Sequence, residues 1–580
     1  MKPVLVVLAS VLFVSPFVSP LVSPLAAGTL ADEYLDHYYI FYPTHATAAG
    51  RHDLDTKLED LSQEQRRDWV DFNRKEAETF QKRLADPKED PEERLDDELL
   101  LRQARLEVLD FATAQWPERD PLFWTGLLGD ATVFLLVRDD LPLDQRLERA
   151  AARAELIPRL ARQAREALAT GPLTAISAEI TGYAAGQAHA SAVFYRESFP
   201  LAAKDSAETI RKKMGESGAK AAAALDELGA FLDGLEKKVT GSPRLGAAYA
   251  ERFRLVTGVE QPVDTVLAQA EVDLAAKRVE AASYGRSVWS QVFAGEEPPR
   301  GDRELLRRLF TRIAADRAHS TDEFVEDYRQ LTAQALDFVR EKKIVTLPAS
   351  ISIHIDRSPS YFLGQSIGGV YSAGPYAPDA DTLYFLPTPP DDATPEQRDA
   401  FFRDFNHHFN VMISSHEIVP GHYVQLKLAA HHPHKVRALF GDGVSVEGWG
   451  TFCERLMLDL GWGGPLDRLA HLKKQMENIA RTIVDIRVHT HGMTRDEVLR
   501  YVKEEALQDD QFASNMWARS ITTAPQITFY YLGYRQIHEL YDDVKKARGG
   551  AFDLRTFMDG LMEMGPVPVA RYRERMLVRN

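Results

Sequence analysis

The sequence contains almost no cysteine. Its 580 residues include one, Cys453, so no intrachain disulfide can form and no cluster of thiolates can bind a metal. A metal site in this chain must therefore use histidine, aspartate and glutamate side chains. Glycine and proline are not enriched, and the 44% hydrophobic and 27% charged residues exclude a disordered or collagen-like chain.

Positive charge is also scarce. The chain has 70 Lys and Arg against 86 Asp and Glu, a formal net charge of −16. Neutralising phosphates requires a clustered basic surface, and without one we expect no nucleic-acid partner. The sequence also has neither a Gly-x-Ser-x-Gly elbow nor a phosphate-binding loop, which are the signatures of serine hydrolases and nucleotide hydrolases.

The longest apolar run, residues 4–14, is too short to span a membrane, which requires about 20 apolar residues. Lys2 precedes it, three Ser-Pro pairs follow it, and small residues end the segment near Gly28. This order is typical of a secretory signal peptide at residues 1–28; a buried N-terminal helix is the alternative. No cysteine lies near its end, so we expect an exported protein, periplasmic or secreted, with no stable membrane anchor.

The remaining sequence predicts a mostly α fold in two regions. Residues 29–343 repeat apolar side chains at three- and four-residue spacing, as in Leu225, Leu228, Leu232 and Leu235, which is typical of amphipathic helices. Residues 344–580 begin with a small β element, because residues 351–355 alternate and residues 382–386 form a short apolar run. Helices resume after Thr394.

A Gly- and Tyr-rich segment, residues 368–376, connects the two predicted strands. Because glycine has no side chain, the backbone of this segment could come close to a ligand. Tyr371 is a candidate for contact with a substrate. A plain turn between two strands is the alternative interpretation.

The chemically informative segment is His416-Glu417-Ile418-Val419-Pro420-Gly421-His422. It is related to H-E-x-x-H, in which two histidines one helical turn apart bind zinc and the glutamate activates water. Here six residues separate the histidines, so a straight helix would place them about 120° apart and about 9 Å apart along its axis. Both can reach one metal only if the helix breaks, and Pro-Gly favours a break.

A third metal ligand is predicted 25 residues after His422. Glu447 lies at the start of another helical segment, and zinc sites are often completed by a carboxylate that leaves one position open. Glu454 lies seven residues later, on the same helical face, and is predicted to orient a histidine. The alternative is that both glutamates are ordinary surface charges of a helix.

These residues resemble a known family. The pattern His-Glu-x-x-Pro-Gly-His-x-x-Gln followed by Glu-Gly-Trp resembles that of the bacterial domain-of-unknown-function 885 proteins, which are grouped with gluzincin-like metallopeptidases. The similarity extends from residues 42–47 through residues 484–489, 493–497 and 525–533. The resemblance implies a large multi-helix, metallopeptidase-like fold and metal-dependent hydrolysis of peptides.

The predicted site assigns a role to each of nine side chains. A zinc ion, or another divalent metal, is expected on His416, His422 and Glu447. The predicted catalytic residues are Glu417 as general base and His489 and Tyr531 as donors to the oxyanion. The predicted substrate-binding residues are Arg519, Arg487 and Tyr371.

The predicted function is that of an exported zinc metallopeptidase acting on short peptides. Two alternatives remain open: a non-catalytic exported protein that binds a peptide or metal, and a zinc-dependent hydrolase of a non-peptide amide or ester. Glu417 favours an enzyme, because a binding protein needs metal ligands but no general base. The sequence does not predict an oligomeric state.

Overall fold

The computed structural model describes residues 29–357, 369–389 and 393–578. Within these ranges the chain is mostly helical with one small sheet, which confirms the predicted mostly α class. The predicted signal peptide, residues 1–28, lies outside the described residues. No helix in the described ranges is both long and apolar enough to cross a bilayer.

The described residues before the sheet form fifteen α-helices, whose bounds are α1 (Leu30–Phe41), α2 (Pro43–Ala48), α3 (Gln63–Leu84), α4 (Pro91–Val108), α5 (Trp116–Arg119), α6 (Pro121–Asp130), α7 (Val133–Val137), α8 (Leu143–Ala154), α9 (Ile157–Thr170), α10 (Ala178–Val193), α11 (Glu208–Glu236), α12 (Tyr249–Thr257), α13 (Val263–Val292), α14 (Asp302–Ile313) and α15 (Thr321–Lys342). The described residues after it form α16 (Pro395–Asp404), α17 (His407–Glu417), α18 (His422–Ala430), α19 (Lys435–Leu439), α20 (Gly443–Asp459), α21 (Pro465–Thr490), α22 (Arg495–Glu505), α23 (Asp510–Thr523), α24 (Phe529–Arg548), α25 (Leu554–Met564) and α26 (Val569–Arg573).

Local sequence explains where several helices begin. The hydroxyl of Thr394 accepts from the backbone N–H of Gln397, whose side chain accepts from the Thr394 N–H, and proline occupies the first helical position of α16. The hydroxyl of Ser320 caps α15 by accepting from the backbone N–H of Glu323, whose side chain accepts from the N–H of His319. Such caps satisfy backbone donors that have no partner inside the helix. The apolar stripe predicted at residues 225–235 is buried along α11.

The sheet has three strands, β1 (Ile353–Arg357), β2 (Gly369–Tyr371) and β3 (Thr382–Leu386). β3 is central, parallel to β1 and antiparallel to β2. All five residues of β3 are buried, as expected for an apolar run in the middle of a sheet. β2 lies within the segment predicted as a loop: a three-residue strand that includes a glycine has no alternation for a pattern to detect.

Candidate metal centre

The chain breaks between the two histidines. α17 ends at Glu417 and α18 begins at His422, so the intervening turn takes up the rotation that a straight helix would impose. The indole N–H of Trp449, on α20, donates to the carbonyl oxygens of Pro420 (2.9 Å) and Gly421 (3.2 Å). The turn is therefore attached directly to the helix that carries the predicted glutamate ligand.

The structure brings His416, His422 and Glu447 together. The Nε2 atoms of both histidines lie 3.4 Å from the same carboxylate oxygen, Oε2 of Glu447. One ligand atom from each of the three residues lies within 4.8 Å of the others, and both histidines are buried. The three side chains come from the end of α17, the start of α18 and the first turns of α20.

This geometry fits a zinc ion. Ligand atoms at about 2.0–2.1 Å from zinc in tetrahedral geometry are about 3.3 Å apart, close to the two observed separations of 3.4 Å. Oε2 of Glu447 is buried and has no hydrogen-bond partner among the described residues. A buried carboxylate oxygen without a partner is costly, and a cation between the two imidazoles would supply one.

Glu454 orients His416. The Nδ1–H of His416 donates to Oε1 of Glu454 at 2.8 Å, and the other carboxylate oxygen lies 3.3 Å from Nδ1 of His471. With its proton on Nδ1, His416 directs the lone pair of Nε2 toward Glu447, as a metal ligand requires. Burial alone would raise the pKa of Glu454, but the two histidines lower it to about 2.

The charge of Glu447 is stabilised in the same manner. Burial would raise the pKa of this carboxyl group, yet His416 and His422 hold it well below its ordinary value. Glu447 is therefore an ionised carboxylate at neutral pH, with one buried oxygen, and the ionised state is the one that binds a divalent cation.

Two glycines of α20 allow the close packing around the centre. A methyl group on Gly450 would lie 2.8 Å from Cε1 of His416, so only glycine leaves space for the imidazole. A methyl group on Gly448 would lie 2.5 Å from the backbone of Gly533 on α24, where the two helices cross. Four consecutive residues of α20 thus contribute to the centre. Glu447 is the candidate ligand and Gly448 permits the helix crossing. Trp449 hydrogen-bonds to the turn, and Gly450 leaves space for the His416 imidazole.

Glu417 is half-buried at the last position of α17, next to the ligand His416. Burial is the main cause of the raised pKa values of Tyr328, on α15, and Tyr384, on β3. The negative charge of Glu417 is the second cause for Tyr328 and contributes to the raised pKa of Tyr384. The carboxylate of Glu417 is therefore close enough to both tyrosines for its charge to act on them.

An aromatic and cationic group borders the centre on another side. The ring of Tyr530 stacks with that of His416 at a centroid distance of 6.2 Å. The guanidinium carbons of Arg481 and Arg519 lie 4.8 Å and 5.7 Å from the centre of the Tyr530 ring. Of the two arginines that were predicted to bind substrate, the structure therefore brings Arg519 near the metal ligands.

Both predicted oxyanion donors lie in other environments. Nδ1 of His489 accepts from the backbone N–H of Leu245 (3.0 Å), and its Nε2–H donates to the carbonyl oxygen of Ser520 (2.8 Å). Burial lowers the pKa of His489 to about 4, so it is a neutral histidine with both ring nitrogens occupied. The hydroxyl of Tyr531 donates to Asp273 on α13 at 2.7 Å. None of these contacts involves a metal-ligand residue.

The remaining predicted substrate contacts are also engaged elsewhere. Arg487 donates to Glu271 at 2.6 Å and lies over the ring of Tyr501. Tyr371, on β2, packs its ring against Phe134 and Phe385. These partners account for the observed positions of both side chains without a ligand.

Sequence reasoning missed Tyr530, because the feature that identifies it is a helix crossing. Gly533 faces α20 at the helix crossing. Three residues of helix correspond to about 300° of rotation and two residues to about 200°, so Tyr530 lies on the same side as Gly533 whereas Tyr531 lies on the opposite side. The residue facing the centre was thus predictable once the crossing glycine was known.

Comparison with known proteins identifies relatives along nearly the whole chain. A candidate lipoprotein of unknown function from Shewanella oneidensis is 26% identical, with a TM-score of 0.75 over 93% of this chain and 97% of its own. A candidate lipoprotein from Colwellia psychrerythraea is 15% identical and shares the fold, with a TM-score of 0.75 over 93% and 96%. No curated protein matches the chain. The family model described as bacterial protein of unknown function (DUF885) matches residues 43–576, and the chain belongs to this family.

Proposed function

We propose that the protein is a zinc-dependent hydrolase of short peptides, related to the gluzincin-like metallopeptidases. The observation that carries the proposal is the convergence of two imidazole nitrogens, each 3.4 Å from one buried and otherwise unpartnered oxygen of Glu447. Two histidines and a carboxylate form a ligand set typical of catalytic zinc, which leaves a position open for water or substrate.

His416, His422 and Glu447 would hold the metal. A bound zinc ion would activate a water molecule and polarise the substrate carbonyl. Glu417 accepts a proton from the attacking water and passes it to the leaving nitrogen. The C–N bond breaks. The hydroxyl group of the water is then bonded to the carbonyl carbon, and the proton that Glu417 carried is bonded to the amine nitrogen.

Two features support short peptides as substrates of an exported enzyme. The two histidine ligands are buried, with His416 3% and His422 7% exposed, and Glu447 is partly buried, so a narrow chain reaches them more easily than the surface of a folded protein. The order of residues in 1–28 is typical of a signal peptide, and the solved relatives are candidate lipoproteins. We propose a periplasmic or secreted location.

Metal analysis tests the ligand set. We expect about one zinc ion per chain in gently purified protein by mass spectrometry, and none in the variant His416→Ala/Glu447→Ala. Exposed Glu504 offers a control, because Glu504→Gln should bind as much zinc as the wild type. Absence of metal from the wild type, even after zinc is supplied, would refute the site.

A second test separates an enzyme from a binding protein. Glu417→Gln should retain the zinc and lose peptide hydrolysis by at least about 100-fold, because the general base is removed and the ligands are intact. Hydrolysis is followed by mass spectrometry of a peptide library, with and without a chelator. Wild-type turnover in Glu417→Gln would contradict the mechanism. If wild-type protein binds zinc and peptides without cleaving them, the binding-protein alternative is correct.

A further inference from the structure

We propose that Arg519 binds the terminal carboxylate of the peptide, so that the enzyme cleaves residues from the C-terminal end. This inference rests on the proposed function and deepens it by naming the substrate class: peptides with a free α-carboxylate. It is carried by the contacts of Arg519, its burial and its distance from the metal ligands.

Arg519 is a buried cation with too few acceptors. It is 6% exposed, and its Nη2 atom donates to Oε1 of Gln526 (2.5 Å) and to the hydroxyl of Tyr530 (3.4 Å). Its Nε–H is buried and has no partner among the described residues. Within those residues no carboxylate forms an ion pair with its guanidinium group. A guanidinium group has five N–H donors, and among the described residues only those of Nη2 have an acceptor.

Two buried arginines show how such a charge is compensated by carboxylates, whereas Arg138 and Arg153 also have buried N–H groups without a partner among the described residues. Arg437 forms ion pairs with Glu92 and Asp96, each at 2.9 Å. Arg153 has no acidic partner in hydrogen-bond contact and its Nε–H is also unpartnered among the described residues, but its Nη atoms donate to three carbonyl oxygens and the hydroxyl of Thr47. Arg481, whose guanidinium group also lies over the Tyr530 ring, pairs with Glu477 at 2.5 Å. A buried charge destabilises a fold unless partners compensate for it. The nearby charges of Glu447 and Glu477 stabilise the guanidinium group of Arg519, and a ligand carboxylate would add the direct ion pair that the described residues do not provide.

The position of Arg519 suits a ligand that also reaches the metal. The ring of Tyr530 is near both groups, 6.2 Å from the His416 ring and 5.7 Å from the guanidinium carbon of Arg519. The guanidinium carbon is therefore at most about 12 Å from the His416 ring. One extended residue spans about 3.3–3.6 Å, so a carboxylate bound by Arg519 places the last or the penultimate peptide bond at the metal ligands.

The chemistry selects a carboxylate. The guanidinium group presents parallel N–H donors that match the two oxygens of a carboxylate, and this charge-assisted pairing is about twice as strong as one between neutral groups. A peptide with a C-terminal amide offers a single neutral carbonyl oxygen and no negative charge. The same peptide in its acid and amide forms is therefore a sensitive pair of probes.

Binding to a zinc-loaded, inactive protein tests the inference directly. In Glu417→Gln, isothermal titration calorimetry should show that the acid form of a short peptide binds about 10- to 100-fold more tightly than its C-terminal amide, as expected for hydrogen bonds to charged groups. Equal affinity of the two forms would overturn the inference. This comparison requires no substitution of Arg519 and so does not depend on how its variants fold.

Variants then assign the preference to Arg519. In Glu417→Gln/Arg519→Gln the ratio of the two affinities should fall to about 1. Arg519→Lys keeps the positive charge but not the paired N–H donors of the guanidinium group, so in the same background it should retain a small preference for the acid form. Partly exposed Arg573 pairs with Asp543, and Arg573→Gln serves as the control with an unchanged ratio. Zinc content and circular dichroism establish that each variant is folded. An unchanged ratio in folded Arg519→Gln overturns the assignment.

Product analysis separates this inference from the proposed function. Wild-type protein should release one or two residues from the C-terminus of free-acid peptides and cleave the amides far more slowly. If it cleaves both forms equally, the carboxylate inference is wrong and the proposed hydrolase stands. If the zinc-loaded protein neither binds nor cleaves either form, both proposals are wrong.

Discussion

Two carboxylates one above the other on α20 have different roles around His416. Glu447 directs an oxygen to Nε2, on the side where a metal would bind, and Glu454 accepts from Nδ1–H on the other side. Their spacing of seven residues places both on one helical face, so the sequence alone was enough to predict that the two act together. The sequence did not predict that His471, on α21, also contacts Glu454.

At this residue scale we predict that Glu454→Gln weakens zinc binding. A neutral amide polarises the imidazole of His416 less than a carboxylate does, and loss of such a partner reduces metal affinity by about 10- to 100-fold. Competition with a chromophoric chelator measures the change, with exposed Glu504→Gln as the control. An affinity equal to that of the wild type would show that Glu454 does not tune the ligand.

At the scale of elements, the centre depends on how closely α20 and α24 approach. A methyl group on Gly533 would lie 1.9 Å from the carbonyl oxygen of Val444 and 2.6 Å from Cα of Gly448. The two glycines permit backbone contact at the crossing, and that contact brings Tyr530 against His416. The sequence shows the two glycines but not that they face each other.

We therefore predict that Gly533→Ala separates the two helices. Overpacking at the crossing should lower the free energy of unfolding by about 1–3 kcal/mol or more, measured by urea denaturation, and should reduce zinc affinity because the ligand helix α20 shifts. Gly234, on α11, has open space around its missing Cβ, so Gly234→Ala should be neutral or slightly stabilising. Equal stability of the two variants would contradict the tight crossing.

At the scale of the whole molecule, the two predicted regions share their cores. One hydrophobic cluster includes Tyr34 and Tyr572, and a second joins side chains of α12–α14 to those of α20, α21 and α24. Arg102 on α4 pairs with Asp442, the cap of α20, at 2.6 Å. The helices before the sheet thus support the helices that carry the proposed metal ligands.

One contact between the regions predicts a pH dependence. Burial raises the pKa of Asp485, on α21, to about 8, and its carboxyl group accepts from the hydroxyl of Tyr249 on α12 at 2.6 Å. Between about pH 4 and pH 8 the folded protein keeps a proton that the unfolded chain releases. Stability from this group is therefore complete below pH 4 and is lost as the pH rises to 8.

Asp485→Asn should remove that dependence, since an amide accepts the same hydrogen bond and does not ionise. The difference in unfolding free energy, Asp485→Asn minus wild type, should be larger at pH 8 than at pH 5 by more than about 1 kcal/mol. Urea denaturation at matched zinc concentration measures this difference. Asp337→Asn, at an exposed position, should show a constant difference. A constant difference for Asp485→Asn as well would show that Asp485 is already ionised in the folded protein.

The sequence by itself determined the features that depend on neighbours along the chain. Apolar spacing indicated the helices, Thr394 and Ser320 marked two of their starts, and the six-residue separation of His416 and His422 required the break that the structure has. These features follow from backbone geometry and from local hydrogen bonds, which act over a few residues.

Only the tertiary structure decided which side chains from distant helices meet at the centre. It placed Tyr530 rather than Tyr531 beside His416, gave His489 two backbone partners, and left Arg519 buried with few acceptors. The physical reason is that a helical pattern determines which residues share a face, whereas the packing of whole helices determines what that face contacts. Two adjacent tyrosines on α24 therefore differ in role although they are alike in sequence.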